Sequence, residues 1–186
     1  MIAINKVATV VALSATLMVG NGCSSSSDSS AASMPESVSI PAPGHAPLRV
    51  ELIRPAVAAL EAKLGAAQQY LEVNATPTLV NLFVATNGGT QAVAYVYVEG
   101  KVSDPAPPEA VKPGAATFAA AGIAFDESKV LAPLLKALPN SQYRVFAVLG
   151  APGGAVSYEV TVQSVQGGQL QVPVGPDGAI TGAVQN

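Results

Sequence analysis

The sequence predicts an α+β domain made of two tandem halves, each a helix followed by antiparallel strands. Three observations carry that expectation. Two Val- and Tyr-rich stretches, Ala92 to Val98 and Ala155 to Val162, each follow a Gly-Gly turn (Asn87, Gly88, Gly89 and Pro152, Gly153, Gly154). Ahead of each turn lies an apolar strand, and ahead of that strand a segment with apolar residues at helical spacing. A proline-rich connector, Asp104 to Gly114, separates the two series. The same order of elements met twice, with a short motif in register, is the signature of an internal repeat.

The chain divides into four parts: residues 1–22, 23–47, a first half at 48–114 and a second half at 115–186. Met1 to Lys6 carries one positive charge, Val7 to Val19 is apolar or small, and Gly20, Asn21 and Gly22 are small or polar. This is the layout of a secretory signal peptide. Its apolar run of roughly 13 residues is too short for a spanning helix, which needs about 20. Cys23, the one cysteine, follows at once and is itself followed by Ser24 to Ser27. In Gly22, Cys23 and the serines the stretch resembles the lipobox of bacterial lipoproteins, with Gly20 and Asn21 where that family commonly has Leu and Ala or Ser. The resemblance implies cleavage before Cys23, a diacylglyceryl thioether on its sulfur and an acyl group, such as palmitate, on its new amino terminus. It also implies a cell-membrane location on the extracytoplasmic side. Two or more chains meet the requirement for stable anchoring, since each buried methylene contributes about 0.8 kcal/mol.

Ser24 to Pro47 is rich in Ser and Pro and cannot form a core, so it reads as a tether spanning roughly 25 to 30 Å as a loose coil. His45, the single histidine, falls here, where nothing rigid would hold a catalytic ring.

In the first half, Pro55 opens a helix and Val57, Leu60, Leu64, Ala67 and Leu71 mark its apolar face, with Gly65 weakening the middle. Asn74, Ala75 and Thr76 spell a glycosylation sequon, read as a coincidence in a turn before Pro77. Thr78 to Ala85 and Gln91 to Val102 are strands joined by the first Gly-Gly turn. Thr117 to Phe125 is either a third strand of this unit or the lead-in to the next helix. There Asp126 caps, Glu127 lies in the first turn, and Val130, Leu131, Leu134, Leu135 and Leu138 supply the apolar face. Pro133 interrupts that helix, which predicts a short turn and a restart near Ala132. Tyr143 to Leu149, Ala155 to Val165 and Gln169 to Val174 form a meander, and Pro176, Asp177 and Gly178 turn into Ile180.

The two copies differ in one respect. In the second, Val156, Tyr158, Val160 and Val162 alternate with Ser157, Glu159, Thr161 and Gln163, so one face is core and the other wet. In the first, Val93, Tyr95 and Tyr97 take the core face and the other becomes Ala94, Val96 and Val98. Two covers suit that second apolar face: the protein's own Thr117 to Phe125 segment or other half, or a ligand or partner protein docked against Ala94, Val96 and Val98.

Composition narrows the function classes. Charged residues are 11% of the chain, with 9 Lys and Arg against 12 Asp and Glu, and no basic stripe forms that would attract nucleic acid. There is no phosphate loop, no metal-ligand spacing and no second thiol, so no cofactor or metal is expected, and neither is an enzyme. In element order alone the domain resembles the PepSY and cystatin-like modules of secreted proteins, which implies binding or restraint of other proteins. Two functions are carried forward: a binding module for a lipid or other apolar small molecule, and a protein-interaction or inhibitory module of the cell envelope.

Overall fold

Helix α1 (Ile53–Leu64) follows a single 3-10 turn at Val50–Leu52 and buries Ile53, Ala56, Val57 and Leu60, the one-face spacing of an amphipathic helix. The structure is a computed structural model and describes residues 46–164 and 168–182. Cys23 and His45 lie outside those residues. Gly65 ends α1 instead of interrupting it: at φ +73° it adopts the left-handed conformation and its N–H bonds to the Glu61 carbonyl. Leu71, expected on the helix, therefore belongs to strand β1 (Gln69–Ala75).

The chain continues through β2 (Val80–Thr86), the first Gly-Gly turn and β3 (Gln91–Val98). The expected long strand from Gln91 to Val102 is a hairpin, because Glu99 and Gly100 both take positive φ and fold β4 (Lys101–Val102) back on β3. The proline-rich connector is not free of the sheet. Through β5 (Glu109–Ala110) and backbone bonds from Ser103, Ala106 and Val111 it runs along β3 and pairs that edge. A sheet edge left open invites other chains, and prolines beside it discourage further growth.

Segment 117–125 contributes strand β6 (Phe118–Ala119), paired with β1, and sets Phe118 against Tyr70 with 5.8 Å between ring centres. Asp126 then caps a run of turns, accepting from the Ser128 N–H, and helix α2 (Ala132–Ala137) starts where Pro133 allows it. The meander follows as β7 (Gln142–Gly150), β8 (Val156–Gln163) and β9 (Gln169–Val174). Gly178, at φ +82°, closes the last turn, and a Cβ there would meet the Val130 carbonyl oxygen at 2.1 Å.

All nine strands join one antiparallel sheet, whose main path is β4-β3-β2-β1-β7-β8-β9. The domain is thus mixed helix and antiparallel sheet. One face is the core. Along it Val93, Tyr95 and Tyr97 of β3 stand opposite Val84, Leu82 and Val80 of β2, and the row continues through Val73, Val148, Tyr158 and Val174. These residues form one cluster with the buried sides of α1 and α2 and with Ile123, Phe125 and Val130. Arg54 fastens α1 to the irregular segment: it donates to the carbonyls of Ile123 and Phe125, pairs with Glu127 at 2.8 Å, and lies over the Phe125 ring.

Candidate functional site

The two central strands each contain a bulge, and the bulges decide what the other face presents. Side chains on a strand alternate, so Tyr70, Glu72 and Asn74 would all share one face of a regular β1. The register shifts between Tyr70 and Glu72. Tyr70 therefore enters the core opposite Val84, while Glu72 and Asn74 turn to the far face opposite Phe83 and Asn81. In β7 a second shift between Tyr143 and Val145 sends Tyr143 to the core, where its hydroxyl donates to the Leu134 carbonyl, and Val145 to the far face.

The far face is read from the register as two cross-strand rows. One runs Val96, Asn81, Asn74, Ala147, Glu159 and Pro173; the next runs Ala94, Phe83, Glu72, Leu149 and Ser157. Both helices lie with the core on the opposite side. Ala94 and Val96 are left half-buried and Val98 is 42% exposed. The three residues expected to line a binding surface thus share a face, at its β3 side. Segment 117–125 does not cover them: Phe118, Ile123 and Phe125 are spent on the core.

A polar centre interrupts this apolar surface. The Asn81 amide donates to Asn74 Oδ1 at 2.8 Å, and the Asn74 amide donates to Glu72 Oε1 at 2.6 Å. Asn74 is 8% exposed, the one polar residue among the buried side chains described. Its sequon lies in a strand with the amide engaged on both sides, not in a turn, so it offers no place for a glycan. Glu159 stands two strands from Glu72, in the row of Asn74 beyond the buried Ala147. Burial raises the Glu72 carboxyl above its ordinary value, opposed by the Asn74 hydrogen bond. Burial also raises Glu159, and the charge of Glu72 raises it further. Neither carboxylate belongs to any of the four ion pairs among the described residues. Arg144, at the end of the face, is bound to Gln163 Oε1 at 2.9 Å.

A hollow of about 480 Å³ borders this face where Leu52, Pro77, Tyr97 and Val98 meet Arg49 and Glu99. It is an open trough, not an enclosed cavity. A smaller one of about 230 Å³ lies beside Arg54 and Glu61 at the edge of α1. No group of three or more metal-ligating side chains occurs among the described residues, and no described helix is long and apolar enough to cross a membrane.

Sequence reasoning missed Glu72, Asn74 and Asn81. The available signal was Gly65 with Lys63 just before it, a helix-stop pattern, followed by the strand-like Tyr70 to Val73. No protein-family model matches the chain, and neither do the curated proteins or the solved structures.

Proposed function

We propose that the protein is a membrane-anchored extracytoplasmic lipoprotein whose domain is a non-catalytic binding module, working through the open face of its sheet. Cys23 carries the lipid, residues 24–47 are the tether, and the domain holds a partner protein at the envelope. One observation carries the choice of a protein over an enclosed lipid. The interior is filled by interlocking side chains, Phe125, Phe146 and Tyr158 among them, with ring centres 5.0 to 6.0 Å apart. The apolar residues left over, Phe83, Ala94, Val96 and Val98, lie on an outer surface. A carrier of an apolar molecule needs a cavity beside those residues, whereas an interaction module needs a packed interior and an exposed patch.

The trough beside Val98 supports a second reading, a small apolar ligand seated between Leu52, Pro77 and Tyr97, since its volume is within the range of ligand sites. Native mass spectrometry of the mature protein before and after organic extraction separates the two. The interaction reading expects the mass of the acylated chain alone, and a further ligand of discrete mass that is lost on Val98→Asp would replace it with the second. Radiolabelled palmitate tests the anchor: label is incorporated into the native chain and absent from Cys23→Ser. The two halves, 48–114 and 115–186, are read here as copies of one unit. Their paired Gly-Gly hairpins, with Gly88, Gly89, Gly153 and Gly154 all at positive φ, support that reading.

A further inference from the structure

Two carboxylates stand on the open face with no countercharge of their own. Glu72 uses Oε1 to accept from Asn74, and its Oε2 has no hydrogen bond among the described residues. Glu159 has neither a hydrogen bond nor an ion pair among them. Both are partly withdrawn from water among apolar neighbours: Phe83, Ala94 and Leu149 share the row of Glu72 with Ser157, while Val96, Ala147 and Pro173 share that of Glu159 with Asn74 and Asn81. Of the described cations, Arg49, Arg54, Lys63 and Lys129 are paired with other carboxylates and Arg144 is bound to Gln163. Lys101, opposite Val98, stands at the β4 edge three strands from Glu72, Lys112 follows β5 in the connector, and Lys136 belongs to α2 on the core side of the sheet. From Cys23 to His45 the sequence has Asp28 and Glu36 and no lysine or arginine, and residues 165–167 and 183–186 are uncharged.

We infer that the partner of the open face is a protein segment that sets a lysine or arginine over Glu72 and Glu159 and flanks it with apolar side chains. This rests on the reading of that face as a docking surface. A charge pair desolvated at the centre of an interface couples more strongly than one at its rim, and a carboxylate left unmatched there is penalised, so such a centre selects its partner. The raised carboxyls are the free-state counterpart: each is held in surroundings that disfavour its charge until a cation arrives. A second copy of this chain fits poorly, because a symmetric contact centred on the two glutamates would bring four carboxylates together, while Lys101 stands at the β4 edge three strands from Glu72. An anionic membrane surface is repelled for the same reason.

The test uses the complete chain, isotopically labelled in phosphatidylcholine nanodiscs, titrated with three strand-forming peptides. One alternates Lys with Val, one Ser with Val and one Glu with Val. The Lys peptide is expected to shift the amides of Glu72, Asn81, Phe83, Ala94 and Glu159, with half-saturation at least tenfold lower than for the Ser peptide. The double variant Glu72→Gln/Glu159→Gln, which is nearly isosteric and keeps an oxygen for Asn74, is expected to erase that tenfold preference. If the Lys and Ser peptides bind this face equally, the cationic inference is overturned while the docking surface stands. If none of the peptides shifts this face, or all shift another part of the molecule, both fall. Self-association of the free protein through this face would likewise overturn the inference in favour of a second copy.

Discussion

Leu82 and Phe83 are neighbours in the chain and opposites in the fold. Leu82 is fully buried between β1 and β3 beneath α1, and Phe83 lies half-buried beside Glu72 on the far side of the same strand. The core face is apolar in every row and closed by two helices and the 118–131 segment. Across the sheet, the same strands place Ala, Val and Phe around two glutamates and two asparagines. A face meant only for water would carry polar residues throughout. One meant only for the core would have no glutamate. That mixture, apolar with a few placed polar groups, supports the docking reading proposed above.

Substitutions on the two sides of one strand break the comparison most sharply. Leu82→Ala is expected to cost about 2 to 5 kcal/mol in urea unfolding, because it leaves a cavity under α1. Phe83→Ala, although it removes more atoms, is expected to cost about 1 kcal/mol or less, since its ring is already partly in water. Equal losses would mean the far face is covered after all. Arg54→Ala comes next. It removes two bonds to carbonyls and the contact with Phe125, and should lower stability by about 1 to 2 kcal/mol, measured the same way.

The smallest effect is in pH dependence, and it has a definite sign. A carboxyl raised in the folded state binds its proton more tightly there than in the unfolded chain. The penalty from Glu72 and Glu159 is therefore absent below their ordinary 4.5, and it grows as pH rises through the raised values. Groups facing them include the Asn74 amide, Phe83, Leu149 and each other, with Arg144 held at the end by Gln163. Glu72→Gln/Glu159→Gln should raise the melting temperature by more at pH 8 than at pH 4. Asp126 acts in the reverse direction. Its hydrogen bonds from Lys129 and Ser128 lower it to about 2, so its contribution is present above 3.8 and is lost as pH falls through about 2. A thermal-shift series from pH 2 to 9 would separate the two.

Much of the covered face was legible from the residues. The β8 alternation, the Gly-Gly turns, the restart of α2 near Ala132 and the burial of Tyr95 and Tyr97 all follow from local chemistry. So did the shared face of Ala94, Val96 and Val98. The polar centre was not legible. Helical spacing ran on past Gly65 to Ala67 and Leu71, and it masked a strand whose own pattern was already ambiguous. Even with β1 assigned, simple alternation would have put Tyr70, Glu72 and Asn74 on one side. The bulge that separates them depends on pairing with β2 and β7, and that pairing lies beyond any local pattern.

The most direct measurement is photo-crosslinking in intact cells of the native host, with benzoylphenylalanine at position 83 and, as a control, at position 82. The account predicts one discrete protein adduct from position 83, diminished in the Glu72→Gln/Glu159→Gln background and absent from position 82. No adduct from position 83, or an adduct to phospholipid alone, would contradict it.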